Sequence, residues 1–147
     1  MRGWKSLFGV VVMTLGLQAQ TLELGSYLER FDYKEREEMK IKLAEALALY
    51  EAGEAEILDI RFQEEWEVWR LGFGKHIPLP ELPGRLGELD KKRLIITICP
   101  HYDRALMARL YLVTQGFKAR YLSDGMLGMV GYLRGANAKE FLEEIKR

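Results

Sequence analysis

The most informative stretch of this chain is Leu94-Ile95-Ile96-Thr97-Ile98-Cys99-Pro100-His101-Tyr102-Asp103-Arg104-Ala105. Its first five residues form an apolar run that is typical of a strand covered on both faces in a parallel sheet. The only cysteine of the chain follows at once, and a short polar loop then leads into a helix. The thiol is expected to face the N-terminus of that helix, where a thiolate and its adducts are stabilised. This placement predicts sulfur chemistry.

Strand and helix patterns alternate on both sides of this stretch. Short strands are predicted over 56–60 and 119–122, with an extended piece at 75–79. Helical spacing of apolar residues predicts helices over 41–51, 62–71, 82–89, 104–115, 126–133 and 138–146. The last helix is expected to begin after a capping box of Asn137 and Glu140. The alternation predicts an α/β domain with a central, mostly parallel sheet flanked by helices on both faces.

Length and charge restrict the class of protein. A chain of 147 residues, 48% of them hydrophobic, is suited to one domain with its own core. Basic and acidic residues balance at 22 each without a basic stripe, so nucleic acid is not an expected partner. There is no dinucleotide, Walker or metalloprotease motif, and two histidines with one distant cysteine make a poor zinc set. We therefore expect no cofactor and no metal.

Residues 1–19 have the pattern of an export signal. Arg2 and Lys5 precede an uncharged, mostly apolar run over 6–17, and Ala19 suits a cleavage site. The alternative is a short membrane anchor, but the run is shorter than the roughly 20 residues that a spanning helix needs. We expect cleavage, no stable membrane insertion afterwards, and export to a bacterial periplasm. The charged segment 20–40 is expected to be a linker or an exposed N-terminal helix, and 41–147 the folded domain.

The loop after the cysteine is expected to bind anions. A lone cysteine in an exported chain cannot form an internal disulfide, and its position favours a reactive thiol over an inert one. Loop N–H groups and the charge of Arg104 are expected to favour a Cys99 thiolate that attacks sulfane sulfur. His101 and Asp103 either act as acid, base or acceptor-binding groups or face solvent. The candidate anion-binding residues are Pro100, His101, Tyr102, Asp103 and Ala105.

Charged and aromatic residues elsewhere have structural interpretations. Asp59 and Arg61, at the end of a predicted strand, are expected to form an ion pair or a strand-end hydrogen-bond unit. Their alternative role is to support the pocket. His76 is expected to be structural, and Trp66 and Trp69 are expected to cover the core.

Several short motifs, taken in order, resemble those of the rhodanese family. They are Leu58-Asp59-Ile60-Arg61 with Glu64-Glu65-Trp66, Ile77-Pro78-Leu79, the loop from Cys99 to Arg104 with Ala105, Gly116-Phe117, and the segment 122–125. The resemblance covers about 41–134. It implies a parallel sheet wrapped by helices and the transfer of sulfane sulfur through a cysteine persulfide. It also implies Cys99 as nucleophile and sulfur carrier, with Arg104 and the loop amides as the anion site.

Three departures from the family pattern bear on activity. The family usually has G-H-I-P-G-A at the spacing of 69–74, and a glycine where Tyr102 stands; Asp124 also replaces a glycine. Because a tyrosine does not adopt positive φ cheaply, the loop is expected to have an altered shape or Tyr102 to cover the sulfur.

Three functions remain open from the sequence. The first is an exported sulfurtransferase or sulfur carrier that acts on small sulfur-containing anions, such as thiosulfate or polysulfide, or on a protein persulfide. The second is a non-catalytic rhodanese-like binding module. The third is a thiol phosphatase or arsenate reductase. Phosphatases of this architecture have five residues between cysteine and arginine, whereas this loop has four, Pro100 to Asp103.

Overall fold

A five-stranded sheet forms the centre of the computed structural model, which describes residues 22–146. Its strands are β1 Lys40–Ile41, β2 Ala55–Asp59, β3 Lys75–His76, β4 Leu94–Ile98 and β5 Ala119–Leu122. They lie in the order β1-β5-β4-β2-β3, and every neighbouring pair is parallel. The predicted parallel α/β sheet is thereby confirmed. The expected export signal at 1–19 lies outside the described residues.

Within residues 22–146, two α-helices precede β1, one lies in each of the connections β1–β2, β2–β3 and β4–β5, and two follow β5. They are α1 Leu24–Glu29, α2 Tyr33–Glu38, α3 Leu43–Glu51, α4 Gln63–Val68, α5 Asp103–Thr114, α6 Gly125–Tyr132 and α7 Gly135–Glu144. The predicted helix over 82–89 is wrong: this segment forms two 3-10 turns, Leu82–Gly84 and Leu86–Glu88. Proline and two glycines make it a poor α-helix. None of the helices within the described residues is long and apolar enough to span a membrane.

The expected cap of the last helix is also wrong. Helix α7 already begins at Gly135, so Asn137 lies inside its first turn. The Asn137 side chain donates a hydrogen bond to the carbonyl of Tyr132, at 3.1 Å, and thereby ties α7 to the end of α6.

The central strand β4 separates two hydrophobic clusters. Ile95 belongs to the cluster that includes Ala108 and Leu112 of α5. Ile96 and Ile98 belong to the opposite cluster, to which α3, α6 and α7 contribute. Burial on both sides is why β4 lacks the polar alternation of a half-exposed strand. The predicted flanking of the sheet by helices on both faces is confirmed.

Helices α1 and α2 are held on the domain by a buried polar cluster. Arg109 of α5, only 4% exposed, donates to the Tyr27 hydroxyl at 2.5 Å and pairs with Glu35. Tyr27 in turn donates to a Glu35 carboxylate oxygen at 2.8 Å. The remaining Arg109 donor reaches the carbonyl of Ala119 in β5, at 3.1 Å. The charged N-terminal segment therefore has a specific attachment to the sheet and to α5.

Candidate active site

Cys99 lies directly after β4, at the carboxyl edge of the sheet, where open α/β sheets bind ligands. Its side chain is fully buried. The backbone N–H of Ala105 donates a hydrogen bond to Sγ at 3.4 Å, and the thiol donates to Oδ1 of Asp103 at 3.6 Å. The sulfur therefore faces the first turn of α5.

The loop that carries the cysteine is clamped by its neighbours. The N–H of Met126 donates to the Cys99 carbonyl at 2.9 Å. Gly125 has φ of +64°, and a Cβ there would lie 2.4 Å from the carbonyl oxygens of both Pro100 and His101. Only glycine allows this approach without moving the loop. The start of α6 therefore fixes the loop from one side.

Tyr102 does not distort the loop in the way that the sequence suggested. It has φ of −155°, and no described residue other than glycine has positive φ. Because φ of Tyr102 is negative, its side chain is accommodated without left-handed strain. Tyr102 is exposed, and its ring lies 6.4 Å from that of Tyr121. His101 is exposed as well.

Arg104 is held by a carboxylate of another helix. Its two terminal nitrogens donate to the two Glu65 oxygens of α4, at 2.5 and 2.9 Å. This bidentate geometry is the strongest form of a charge-assisted pair. Hydrogen bonding from Arg104 lowers the pKa of Glu65 below its ordinary value. The positive charge that was expected to serve the anion site is therefore already partnered in this structure.

The expected stabilisation of a Cys99 thiolate is not found. Burial raises the pKa of the thiol above its ordinary value, and the Asp103 carboxylate raises it further. The backbone N–H groups of Ala105 and Arg104 act in the opposite direction without reversing the result. The prediction was wrong because it counted the helix N-terminus and Arg104 but neither the loss of water nor the adjacent negative charge. Burial and the Asp103 carboxylate therefore favour the neutral thiol over the thiolate, because both raise the pKa of Cys99.

Asp59 and Arg61 form the predicted ion pair at the end of β2. Arg61 is fully buried, and its Nη2 lies 2.7 Å from Oδ2 of Asp59. The same guanidinium donates to the carbonyl of Trp69 at 3.0 Å and stacks on that ring, 4.1 Å from its centroid. The pair therefore organises the segment after α4.

A second stack continues outward from this ion pair. The rings of Trp66 and His76 lie parallel, 5.0 Å apart, and a His76 ring nitrogen contacts the Arg61 carbonyl at 2.9 Å. These contacts agree with structural roles for both residues. Asp59 also lines a cavity of about 270 Å³, and Cys99 is not among the described residues that line it. The cavity residues with polar or charged groups are Asp59, Trp66, Arg70 and Lys75.

Three contacts of the site region were not predicted from the sequence. Glu65 is 39 residues from its partner Arg104, and Gly125 is remote from the loop that it supports. Asp124 accepts a hydrogen bond from the Leu43 N–H at 2.9 Å and thereby caps α3. The family-like motifs at 64–65 and 122–125 drew attention to these residues but did not indicate the partners that they contact.

Known proteins share this architecture. The rhodanese-like domain model matches residues 42–131. The Bacillus subtilis (strain 168) protein named "Putative sulfurtransferase YtwF" is 30% identical over 103 residues, which are 67% of this chain and 100% of that protein.

Two solved structures extend the comparison. Reduced Bacillus anthracis CoADR-RHD has 25% identity and a TM-score of 0.56, over 63% of this chain and 16% of that one. The human single-domain sulfurtransferase TSTD1 has 19% identity and a TM-score of 0.55, over 63% of this chain and 96% of that one, and supports the fold. With the family match and the full-length likeness to YtwF, the chain belongs to the rhodanese-like domain family.

Proposed function

We propose that this protein transfers sulfane sulfur through a persulfide on Cys99. The observation that carries the proposal is a buried sulfur at the first turn of α5, bound by the Ala105 N–H, in a rhodanese-like domain. A relative matched along its whole length, YtwF, is named for sulfur transfer. The same helix N-terminus that receives the thiol can hold the negative charge of a persulfide.

The proposed reaction has two balanced steps. After the thiol proton leaves to water, Sγ attacks the outer sulfur of a donor such as thiosulfate. The new S–S bond forms as the donor S–S bond breaks, and its electron pair leaves with sulfite. A thiophilic acceptor such as cyanide then attacks the terminal sulfur of the persulfide. This step gives thiocyanate and restores the Cys99 thiolate.

The surrounding groups have supporting roles in this proposal. Ala105 supplies an N–H to the sulfur, and we assign the loop from Pro100 to Asp103 the binding of the donor. The Arg104–Glu65 pair ties α4 to the first turn of α5. We assign Arg104 the part of a fixed positive charge near the sulfur, moderated by its carboxylate partner.

The activity assay has a clear expected result. Purified protein incubated with thiosulfate and cyanide should form thiocyanate, and Cys99→Ser should form none above the uncatalysed background. Met107→Leu, an exposed change on the same helix, is the matched control and should retain activity. Equal activity of Cys99→Ser and the wild-type protein would overturn the proposal.

We also propose that the protein acts after export. The support is the pattern of Arg2, Lys5 and the apolar run at 6–17. Expressed from its full sequence in a bacterium, the protein should appear in the periplasmic fraction with residues 1–19 removed. An intact N-terminus confined to the cytosolic fraction would contradict this part of the proposal.

A non-catalytic binding module is the second candidate. The observations that favour it are the raised pKa of the Cys99 thiol and the engagement of Arg104 by Glu65. This candidate requires that Cys99, although accessible to an alkylating reagent, never acquires sulfur from thiosulfate, polysulfide or a thiosulfonate.

A further inference from the structure

Asp103 stands beside the reacting sulfur on its solvent side. The residue is exposed, whereas Cys99 is fully buried, and Oδ1 lies 3.6 Å from Sγ. A donor that approaches the sulfur from this side meets the carboxylate first. The contact is made by the side chain itself, so its effect depends on the identity of this residue.

The carboxylate is negatively charged at neutral pH. Asp103 is the first residue of α5, and the Arg104 backbone N–H bonds to its side chain and lowers its pKa. The carboxylate thus competes with a bound anion for the positive end of the helix. The negative charge of Asp103 therefore repels an anionic donor at this part of the site.

The other charged groups near the sulfur do not offset this charge fully. The Arg104 guanidinium is shared with both oxygens of Glu65. Arg61 and Asp59, at the neighbouring strand end, neutralise each other. Asp103 is therefore the charged side chain that contacts Sγ, and its charge is only partly compensated by Arg104.

We propose that Asp103 is a specificity-determining residue that disfavours doubly charged sulfur donors and selects donors with at most one negative charge, such as a thiosulfonate or a persulfide. The inference rests on the proposed sulfur transfer. Its physical basis is that the electrostatic work of bringing a donor to a fixed charge grows in proportion to the donor charge. Thiosulfate carries two charges, and methanethiosulfonate, of similar size, carries one.

The test compares these two donors in the wild-type protein and in Asp103→Asn. The thiolate attacks the outer sulfur of each, and sulfite or methanesulfinate leaves with the electron pair of the broken S–S bond. Apart from the gain in thiolate that both donors share, we expect kcat/KM to rise about tenfold for thiosulfate and about threefold for methanethiosulfonate, since the effect scales with donor charge. The ratio of the two constants should therefore rise about threefold. The ratio is independent of how much thiolate is present, because both donors react with the same thiolate.

Two variants separate specificity from stability. Asp103→Ser keeps an oxygen for the Arg104 N–H and should shift the donor ratio in the same direction. Glu143→Gln changes the net charge equally on the exposed face of α7 and should leave the ratio unchanged. A residue that merely supports α5 would alter thermal unfolding without altering this ratio.

The outcomes distinguish this inference from the function on which it rests. Transfer from both donors with an unchanged ratio in both Asp103 variants would overturn the role of Asp103 and leave sulfur transfer intact. Absence of transfer from either donor in every protein, with Cys99 alkylated normally, would overturn both.

Discussion

Two neighbouring strands of this sheet, β2 and β4, each end at a buried polar side chain, and the two side chains differ in how many hydrogen-bond partners they have. At the end of β2, the buried Arg61 guanidinium bonds to both oxygens of Asp59 and to the Trp69 carbonyl. At the end of β4, the buried Cys99 sulfur receives one N–H at 3.4 Å and faces a like-charged carboxylate if it ionises. The Arg61 guanidinium therefore has several partners, and breaking these bonds would leave a buried charge unpaired. The Cys99 sulfur makes few hydrogen bonds, which suits the change of charge and bonding that we propose for it.

Breaking the β2 ion pair should have the largest effect on stability. Asp59→Asn leaves the Arg61 charge buried without a counter-charge, and we expect the free energy of unfolding to fall by about 3–5 kcal/mol. Urea unfolding measures this loss. The double variant Asp59→Leu with Arg61→Met removes both charges and should recover part of it. A loss well under 1 kcal/mol for Asp59→Asn would contradict the assigned role of the pair.

A single methyl group at Gly125 should displace the loop that follows β4 and carries Cys99. In Gly125→Ala the new Cβ meets two carbonyl oxygens at 2.4 Å, and the residue keeps a left-handed φ of +64°. We expect a loss of about 2–4 kcal/mol in unfolding free energy. Gly131→Ala in the same helix is the control, since nothing lies within 4 Å of its Cβ. Equal stability of the two variants would show that the loop is not clamped there.

The Arg104–Glu65 pair should contribute less, because both side chains are partly exposed. Glu65→Gln should cost about 1 kcal/mol or less at pH 7. Since the Glu65 pKa is lowered from 4.5, this difference should be present above pH 4.5 and vanish as pH falls through the pKa of the folded state. Urea unfolding at several pH values measures the difference, with Glu64→Gln as the exposed control. A difference that is the same at neutral and strongly acidic pH would refute the assignment.

Titration of Cys99 should have the smallest effect on stability, and it tests the comparison between the ends of β2 and β4 most directly. Because the thiol pKa is raised above 9.0, its alkylation by iodoacetamide should still accelerate as pH rises through 9. Because folding raises the pKa of Cys99, the stability linked to its neutral thiol is present at pH values below the pKa of the thiol in the unfolded chain. This stability is lost as pH rises through the pKa of the thiol in the folded protein. Asp103→Asn should move the alkylation midpoint to lower pH. Half-maximal alkylation of the wild-type protein below pH 7 would contradict a neutral resting thiol.

The sequence was sufficient for features that depend on local patterns. The apolar run at 94–98 predicted a strand buried on both faces, and the position of Asp59 and Arg61 at a strand end led us to expect an ion pair or a hydrogen-bond unit there. Contacts between distant segments had no such signal. Asp124 caps α3 from 81 residues away, and Arg109 joins α5 to Tyr27 across 82. Neither contact produces a periodicity that the sequence could reveal.

The direction of the Cys99 pKa shift was mispredicted for a physical reason. Sequence spacing showed that Cys99 precedes a helix, which favours a thiolate, but not how completely the sulfur is removed from water. It also did not show that Asp103 turns towards Sγ while Arg104 turns towards Glu65. The directions of the Asp103 and Arg104 side chains, within one turn of helix, thus help to decide whether the pKa of Cys99 is raised or lowered.

The most direct test of sulfur transfer is the intact mass of the purified protein after exposure to thiosulfate, polysulfide or methanethiosulfonate. The account predicts the addition of one sulfur atom that reductant removes and that Cys99→Ser never acquires. No addition from any of the three donors, with Cys99 still open to alkylation, would contradict a persulfide carrier and favour the binding module.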